Sequence, residues 1–365
     1  MRILVLQKTT DAQGGSKASL RNTLQALSAE AGLDVEVCGE APGALSEFAE
    51  SLDIPFKIVP FPRWRNFADR LRFKKTIRRA ADSLPSFDWI ISNEMWWAPH
   101  AVELAKHCGA LTAAIVRDEI ADLKKARQYK FGDLDKVITV SEDLRVQFKD
   151  DVRLYERTRT IYNIVERPMA EAGSEAALAA CCAACPKVER WVLSAGTLCP
   201  RKDQILLVKA VAELAKRNDQ RTGILFVGGD SGGYEVQLKQ AVHDSGLDAR
   251  VIFAGQLPSI GAALDLAEVK VLTSHSEGLP RVLIESALAG LPSLSTRVSG
   301  VDEVYGTYAD NFVMRSRDPV ELANKLESLL NSRTSESIDA MKTRAETRFS
   351  KEAHLESWRH FLELE

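Results

Sequence analysis

Ser274-His-Ser-Glu-Gly-Leu-Pro-Arg-Val-Leu-Ile-Glu-Ser-Ala-Leu-Ala-Gly-Leu-Pro292 is the stretch that decides the fold. An apolar run, Val269 to Thr273, precedes it and reads as a buried strand. Pro280 stands where a first helical residue is expected, because its missing N–H costs nothing there. Gly290, followed closely by Pro292, is a C-terminal stop. The punctuation predicts a helix from Pro280 to about Ala289, with its N-terminus beside a strand's carboxyl end. Ligands bind at that place in open α/β sheets. Free N–H groups and the helix dipole favour an anion there, and Gly278 lets a phosphate approach the backbone.

Two carboxylates frame this helix. Glu277 lies in the loop before it, and Glu285 sits in the run Val282 to Ala289, where Ser286 is the only other polar residue. A glutamate in such company is at least half buried and needs a partner. A vicinal diol such as a ribose can donate both hydroxyls to one carboxylate. A structural ion pair with a core Arg or Lys is the other reading. A second motif, Gly196-Thr-Leu-Cys-Pro-Arg-Lys-Asp203, follows the strand Trp191–Ala195. It sets Arg201 and Lys202 at a strand's carboxyl end, where fixed cations can stabilise charge developing on a leaving diphosphate; as a bare pair they also read as solvated surface.

Glu277 and Glu285, with seven residues between them, are set in S-x-x-E-G-x-P and followed by E-S-A-L-A-G-L-P. This pattern resembles the E-x7-E signature of family-4 retaining glycosyltransferases with the GT-B fold. Gly196 to Lys202 resembles the same family's G-x-L-x-P-R-K segment. The resemblance covers nearly the whole chain and is strongest from Gly196 to Glu303. It implies an α/β protein of two Rossmann-like, doubly wound parallel-sheet domains facing a cleft, with a C-terminal helix crossing back onto the first. It implies that Glu285 binds the nucleotide ribose and Glu277 the hydroxyls of the donor sugar. The backbone from Gly278 through Leu279 and Pro280 to Arg281 would hold diphosphate and sugar. Lys202, with Arg201 second to it, would grip the diphosphate. Gly15, in the Gly14-Gly15 pair after the first strand, matches a glycine pair near donor phosphate and acceptor, although a simple flexible turn reads equally well.

Arg117 and Asp118 close the strand Leu111–Val116 and fall at a carboxyl end. The family often has His-Asp here, with the His near the donor sugar. Asp118 carries over as a catalytic candidate beside Glu277 and Lys202. Arg117 replaces the His, and its guanidinium could pair with a phosphate or with its neighbour in the loop.

At 365 residues the chain suits two domains. A net charge of −3 argues against nucleic acid as a partner. No signal-peptide core is seen, and no apolar run approaches the roughly 20 residues of a membrane span. The expected location is cytoplasmic, at most peripheral on the inner face of the plasma membrane. The six cysteines fit reduced, mostly buried thiols. Cys181, Cys182 and Cys185 lack a fourth ligand nearby for zinc.

Residues 1–166 alternate strands (Arg2–Leu6, Val35–Cys38, Lys57–Phe61, Trp89–Ser92, Leu111–Val116, Lys136–Val140, Thr160–Tyr162) with helices, the pattern of a parallel sheet. Residues 167–190 read as a linker with a short helix. Residues 191–350 repeat the pattern, with strands Trp191–Ala195, Gly223–Val227, Val251–Ala254, Val269–Thr273, Ser293–Thr296 and Asn311–Met314. The resemblance implies that the helix in 351–365 packs back on the first domain.

The segment Lys57 to Arg79 holds Lys57, Arg63, Arg65, Arg70, Arg72, Lys74, Lys75, Arg78 and Arg79 against Asp69 alone. Phe67, Leu71, Ile77, Ala81 and Leu84 make a narrow apolar stripe. A basic amphipathic helix with aromatics suits an anionic membrane surface, and a core stripe with a solvated basic side explains the same pattern. Family-4 enzymes with lipid-linked acceptors often carry such a patch.

The sequence thus predicts a retaining glycosyltransferase that moves a sugar from a UDP- or GDP-sugar to a glycan or lipid-linked acceptor. The acceptor would be a lipid-linked or surface-polysaccharide precursor. No cofactor is expected, and no metal: Asp133-Leu134-Asp135 has D-x-D spacing but reads as a solvated loop. The alternatives are a non-catalytic sugar-nucleotide-binding partner subunit and a sugar-nucleotide epimerase of the same fold.

Overall fold

Apolar residues at consecutive positions mark strands buried on both faces, as parallel sheets require. Arg2–Leu6 is such a run and forms β1, buried from Ile3 to Leu6. A computed structural model describes residues 1–11, 15–64, 67–119, 123–331 and 335–364. Gly14 and Arg65 lie outside the described residues. The chain divides into Met1–Ile164 with Lys351–Glu365, and Val165–Ser350.

In the first unit β1 is followed by β2 (Asp34–Gly39), β3 (Phe56–Ile58), β4 (Trp89–Ser92), β5 (Leu111–Val116), β6 (Lys136–Thr139) and β7 (Thr158–Thr160). They form one parallel sheet in the order β3-β2-β1-β4-β5-β6-β7. The order reverses between β1 and β4, so the loops after those strands diverge and leave a crevice between them. The second unit holds β8 (Arg190–Ala195), β9 (Thr222–Val227), β10 (Val251–Phe253), β11 (Val269–Leu272) and β12 (Ser293–Ser295). Its parallel sheet runs β10-β9-β8-β11-β12, and the switch falls between β8 and β11.

Three expected strands change. Lys57–Phe61 pairs only through Phe56–Ile58, with one more bond from Val59 N to Gly39 O at 2.9 Å. Pro60 and Pro62 have no N–H to continue the ladder, and Phe61 turns into an apolar cluster instead. Thr160–Tyr162 becomes Thr158–Thr160, because the helix Val152–Arg157 delivers the chain straight to its pairing register with Val137. Asn311–Met314 is not a strand. Ala309–Phe312 is a helical turn whose Phe312 stacks on Tyr305 at 5.6 Å, and one bridge joins Val313 to Ser295.

Residues 174–182 form the helix Ser174–Cys182, and all six cysteines are free thiols. Of the basic helix Phe67–Ala81, Phe73, Ile77 and Ala81 are buried against Leu4, Leu6, Ile90 and Leu104. The final helix, Lys351–Leu362, buries His354, Trp358, Phe361 and Leu362. Phe361 lies 5.1 Å from the Trp89 ring of β4. His354 Nδ1 contacts Tyr162 O at 2.6 Å, and its Nε2 accepts from Trp358 Nε1 at 3.0 Å and lies 3.1 Å from Thr23 Oγ1. Arg359 clamps both Glu30 oxygens at 2.7 and 2.8 Å. The chain's end is thereby fastened to the first unit.

Candidate active site

The switch point of the second unit gathers most of the candidates. Gly196 to Asp203 follows β8 and the loop to Pro280 follows β11, the two strands between which the order reverses. The two loops are tied by one side-chain and one main-chain donor to main-chain carbonyls. Thr273 Oγ1 donates to Lys202 O at 2.8 Å, and His275 N donates to Arg201 O at 2.8 Å. The β8 loop also needs backbone that only glycine adopts. Gly196 has φ +140°, and at Gly228 (φ +145°) a Cβ would stand 2.1 Å from Gly196 O.

These ties bring Lys202 Nζ to 2.6 Å from Glu277 Oε1, with side chains 14% and 11% exposed. Arg201 donates to Ser276 O at 2.7 Å and lies 3.5 Å from Glu277 Oε2. Burial alone would raise the Glu277 carboxyl, but the Lys202 charge and hydrogen bond, with Arg201, hold it below the usual carboxylate range. The site therefore offers two cations and one carboxylate at one sheet edge.

Behind it the helix spans Arg281–Leu288, with Pro280 one place before its first residue rather than within it. Arg281 N donates to Leu279 O at 2.9 Å, and Pro280 has no N–H. Those two residues therefore cannot offer main-chain donors to a ligand as the sequence suggested. No acceptor for Leu279 N–H is found among the described residues. Gly278, Leu279 and Pro280 are all buried. Gly290, at φ +70°, follows the C-terminal turn.

Glu285 is half-buried on this helix, its side chain 13% exposed, and faces Arg281 one turn earlier at 3.6 Å. Its ion-pair partner is thus a residue of the same motif, with the buried Lys270 of β11 adding a second positive charge nearby. Burial pushes its carboxyl up, opposed by Arg281 and Lys270. A buried carboxylate held at the length of a weak ion pair can still accept two ligand hydroxyls.

Arg317 is a residue of this site that the motifs do not reveal. It donates to Ser274 O at 2.9 Å and Thr273 O at 2.8 Å and pairs with Asp203, stapling both loops from a distant segment. Only the folded chain brings these together. Lys270, within β11, is also missed: its buried ammonium sits near Lys202, Glu277 and Glu285.

The remaining candidates lie in the first unit. A pocket of about 60 Å³ at its switch point is lined by Ser16, Glu94, Met95, Trp96, Ile115, Arg117 and Asp118. Gly15 begins the helix Gly15–Ser28 beside it, with open space where a Cβ would point. Asp118 is exposed. Arg117 is held by Asn93 O at 3.2 Å, Asn93 Oδ1 at 2.7 Å and Asn163 Oδ1 at 2.9 Å. Glu94 accepts from Ser16 Oγ at 3.2 Å and Trp97 Nε1 at 3.3 Å. Glu94 and Trp96 were not singled out in the sequence, where N-E-M-W-W carries no motif. The D-x-D pair is structural: Asp135 accepts from Thr112 N and Oγ1 at 2.8 and 2.7 Å, and Asp133 pairs with Lys130 at 3.3 Å.

Two Rossmann-like units with a shared strand order define the GT-B architecture, and comparison with solved structures agrees. The crystal structure of HepE from Anabaena in complex with UDP and glucose has a TM-score of 0.80 at 19% identity, covering 100% of both chains. Sucrose-phosphate synthase from Thermosynechococcus elongatus has a TM-score of 0.78 at 18% identity, covering 100% of this chain and 98% of that one.

The second unit is more closely placed. Residues 184–348 match the family model Glycosyl transferases group 1, so this part of the chain is a domain of that family. An alpha-1,4-N-acetyl-D-galactosaminyltransferase of Campylobacter jejuni, named for a GalNAc-GalNAc-diNAcBac-PP-undecaprenol substrate, is 33% identical over 39% of each chain. The D-inositol 3-phosphate glycosyltransferase of Corynebacterium efficiens is 30% identical over 40% of this chain and 36% of its own. The matches thus span under two fifths of the relatives' lengths.

Proposed function

We propose that the protein is a retaining glycosyltransferase of family 4, using a UDP- or GDP-sugar and a glycan or lipid-linked acceptor. One observation carries this reading: the 2.6 Å pair of Lys202 and Glu277 at the switch point, in front of the helix that presents Glu285. In this reading the donor lies on the second unit. Its diphosphate draws Lys202 and Arg201, Glu277 orients the sugar through its hydroxyls, and Glu285 receives the ribose diol. Lys202 and Arg201 supply the charge that a metal would otherwise bring to the leaving group. No protein nucleophile is invoked: the acceptor attacks the face that the diphosphate leaves, and the departing phosphate takes the acceptor's proton. Rate then comes from positioning and electrostatics.

The acceptor is assigned to the first unit, where Glu94, Asp118 and Trp96 offer carboxylates and an aromatic face to a saccharide. The lipid-linked substrate in the Campylobacter relative's name supports a similar acceptor class. Exposed Arg63, Arg70, Arg72, Lys74, Lys75, Arg78 and Arg79 support contact with an anionic membrane surface, on the cytoplasmic side in this reading. No described helix is long and apolar enough to cross a membrane.

Incubation with UDP- and GDP-sugars and polyprenyl-diphosphate oligosaccharides tests the proposal. Nucleotide release with a product of retained anomeric configuration is expected. An inverted product would overturn retention. Donor binding without release across the panel would favour a non-catalytic sugar-nucleotide-binding subunit, the reading that Arg117 in the family's His position leaves open.

A further inference from the structure

Lys270 interrupts the apolar run of β11, and its side chain is fully buried. A lysine is rarely buried without a partner. Among the described residues Nζ reaches main-chain carbonyls alone, Ala195 O at 3.3 Å and Val271 O at 3.5 Å. Ala195 ends β8 and immediately precedes Gly196, so the ammonium is anchored at the root of the loop that carries Arg201 and Lys202.

Three charged groups face it: Lys202 from the β8 loop, Glu277 from the β11 loop and Glu285 from the helix Arg281–Leu288. Its register partners on the flanking strands, Leu193 and Ser293, are not ionised. Both carboxylates already have cations of their own, Glu277 in Lys202 and Arg201, and Glu285 in Arg281. A charge on Lys270 is therefore poorly compensated in the empty site. Burial, reinforced by Lys202 and opposed by Glu285 and Glu277, pushes its ammonium down to about 7.

We propose that Lys270 is a proton-linked positioning residue for the anionic donor: only partly protonated in the free protein, it takes up a proton when a diphosphate settles against Lys202. This rests on the donor site proposed above. A bound diphosphate brings negative charge into a poorly solvated region, where the neutral amine is then the costlier form. Lys270 does not touch the donor. Its charge acts across Ala195 and Gly196 on the loop and on the Lys202–Glu277 pair. Donor affinity therefore falls as pH rises from about 7 to about 9, by at most about tenfold per unit for one proton.

Titration calorimetry with UDP and GDP tests this, run in two buffers of different ionisation enthalpy. At about pH 8 the terminal phosphate of either nucleotide is already ionised. The wild-type protein should take up about half a proton or more on binding. Lys270→Met should bind without uptake and with a flat pH profile. Lys270→Arg, always charged, should also lose the uptake but keep the affinity. Binding without uptake in the wild type, or uptake unchanged in Lys270→Met, overturns the role of Lys270 and leaves the donor site standing. Binding of neither nucleotide overturns both. If Lys270→Met does not fold, wild-type affinity that is constant from about pH 7 to about pH 9 overturns the proposal.

Discussion

Lys202 Nζ and Glu277 Oε1 lie 2.6 Å apart, joining the loop after β8 to the loop after β11 across the point where the strand order reverses. The pair neutralises itself in the empty site. In the function proposed above, a bound diphosphate would compete with Glu277 for the lysine and free the carboxylate for sugar hydroxyls.

Lys202→Ala should slow sugar transfer about 100-fold or more, the effect of losing one charge-stabilising donor. It should also lower stability, because the largely buried Glu277 loses the nearer of its two cations and keeps only Arg201 at 3.5 Å. Glu277→Gln removes the demand for a counter-charge. The double variant should therefore be less destabilised than the sum of the single ones, which denaturant unfolding measures.

Arg317→Ala should lower nucleotide affinity about tenfold, although Arg317 is assigned no contact with the ligand. Its bonds to Thr273 O and Ser274 O and its pairing with Asp203 hold both loops. Hydrogen exchange should quicken in the backbone of residues 273–276. An unchanged exchange rate would show that Arg317 does not hold the loops.

The switch-point loops were legible because glycine, proline and charge stand at fixed offsets in one continuous stretch. Arg317 was not, since Thr273, Ser274 and Asp203 lie far from it along the chain, and Lys270 was not, since a single lysine in a strand gives no sign of the Ala195 carbonyl it reaches. Runs such as Ile3–Leu6 and Ile224–Val227 read directly as strands, their apolar residues buried on both faces. Asn311–Met314 misled because Phe312, apolar in any pattern, is buried by stacking on Tyr305 and not by pairing in the sheet. Prolines 60 and 62 shortened β3 for a reason visible in the sequence.

His354 is buried and neutral, pushed down to about 4 by burial, with the Tyr162 carbonyl opposing and Arg117 adding to the shift. An unfolded histidine titrates near about 6.5. Between these values the unfolded chain binds more protons, so stability rises with pH across the window and is lost as pH falls from about 6.5 to about 4. His100, also pushed down to about 4, adds to the same slope. His354→Gln should flatten it by up to one proton, read from unfolding free energies at several pH values.

Neutralising Arg70, Arg72, Lys74 and Lys75 together should reduce co-sedimentation with anionic vesicles while leaving transfer to a soluble acceptor unchanged. Binding by the unmodified protein should weaken with salt. All four side chains are exposed, so the fold should persist. Unchanged sedimentation would remove the membrane assignment.

Calorimetric titration of UDP and GDP into the wild-type protein and into Glu285→Ala tests the central claim most directly. The account predicts that at least one nucleotide binds the wild type, and that Glu285→Ala weakens it by about tenfold or more through loss of the ribose contact. Equal affinity in the two proteins, or binding of neither nucleotide to the wild type, would contradict it.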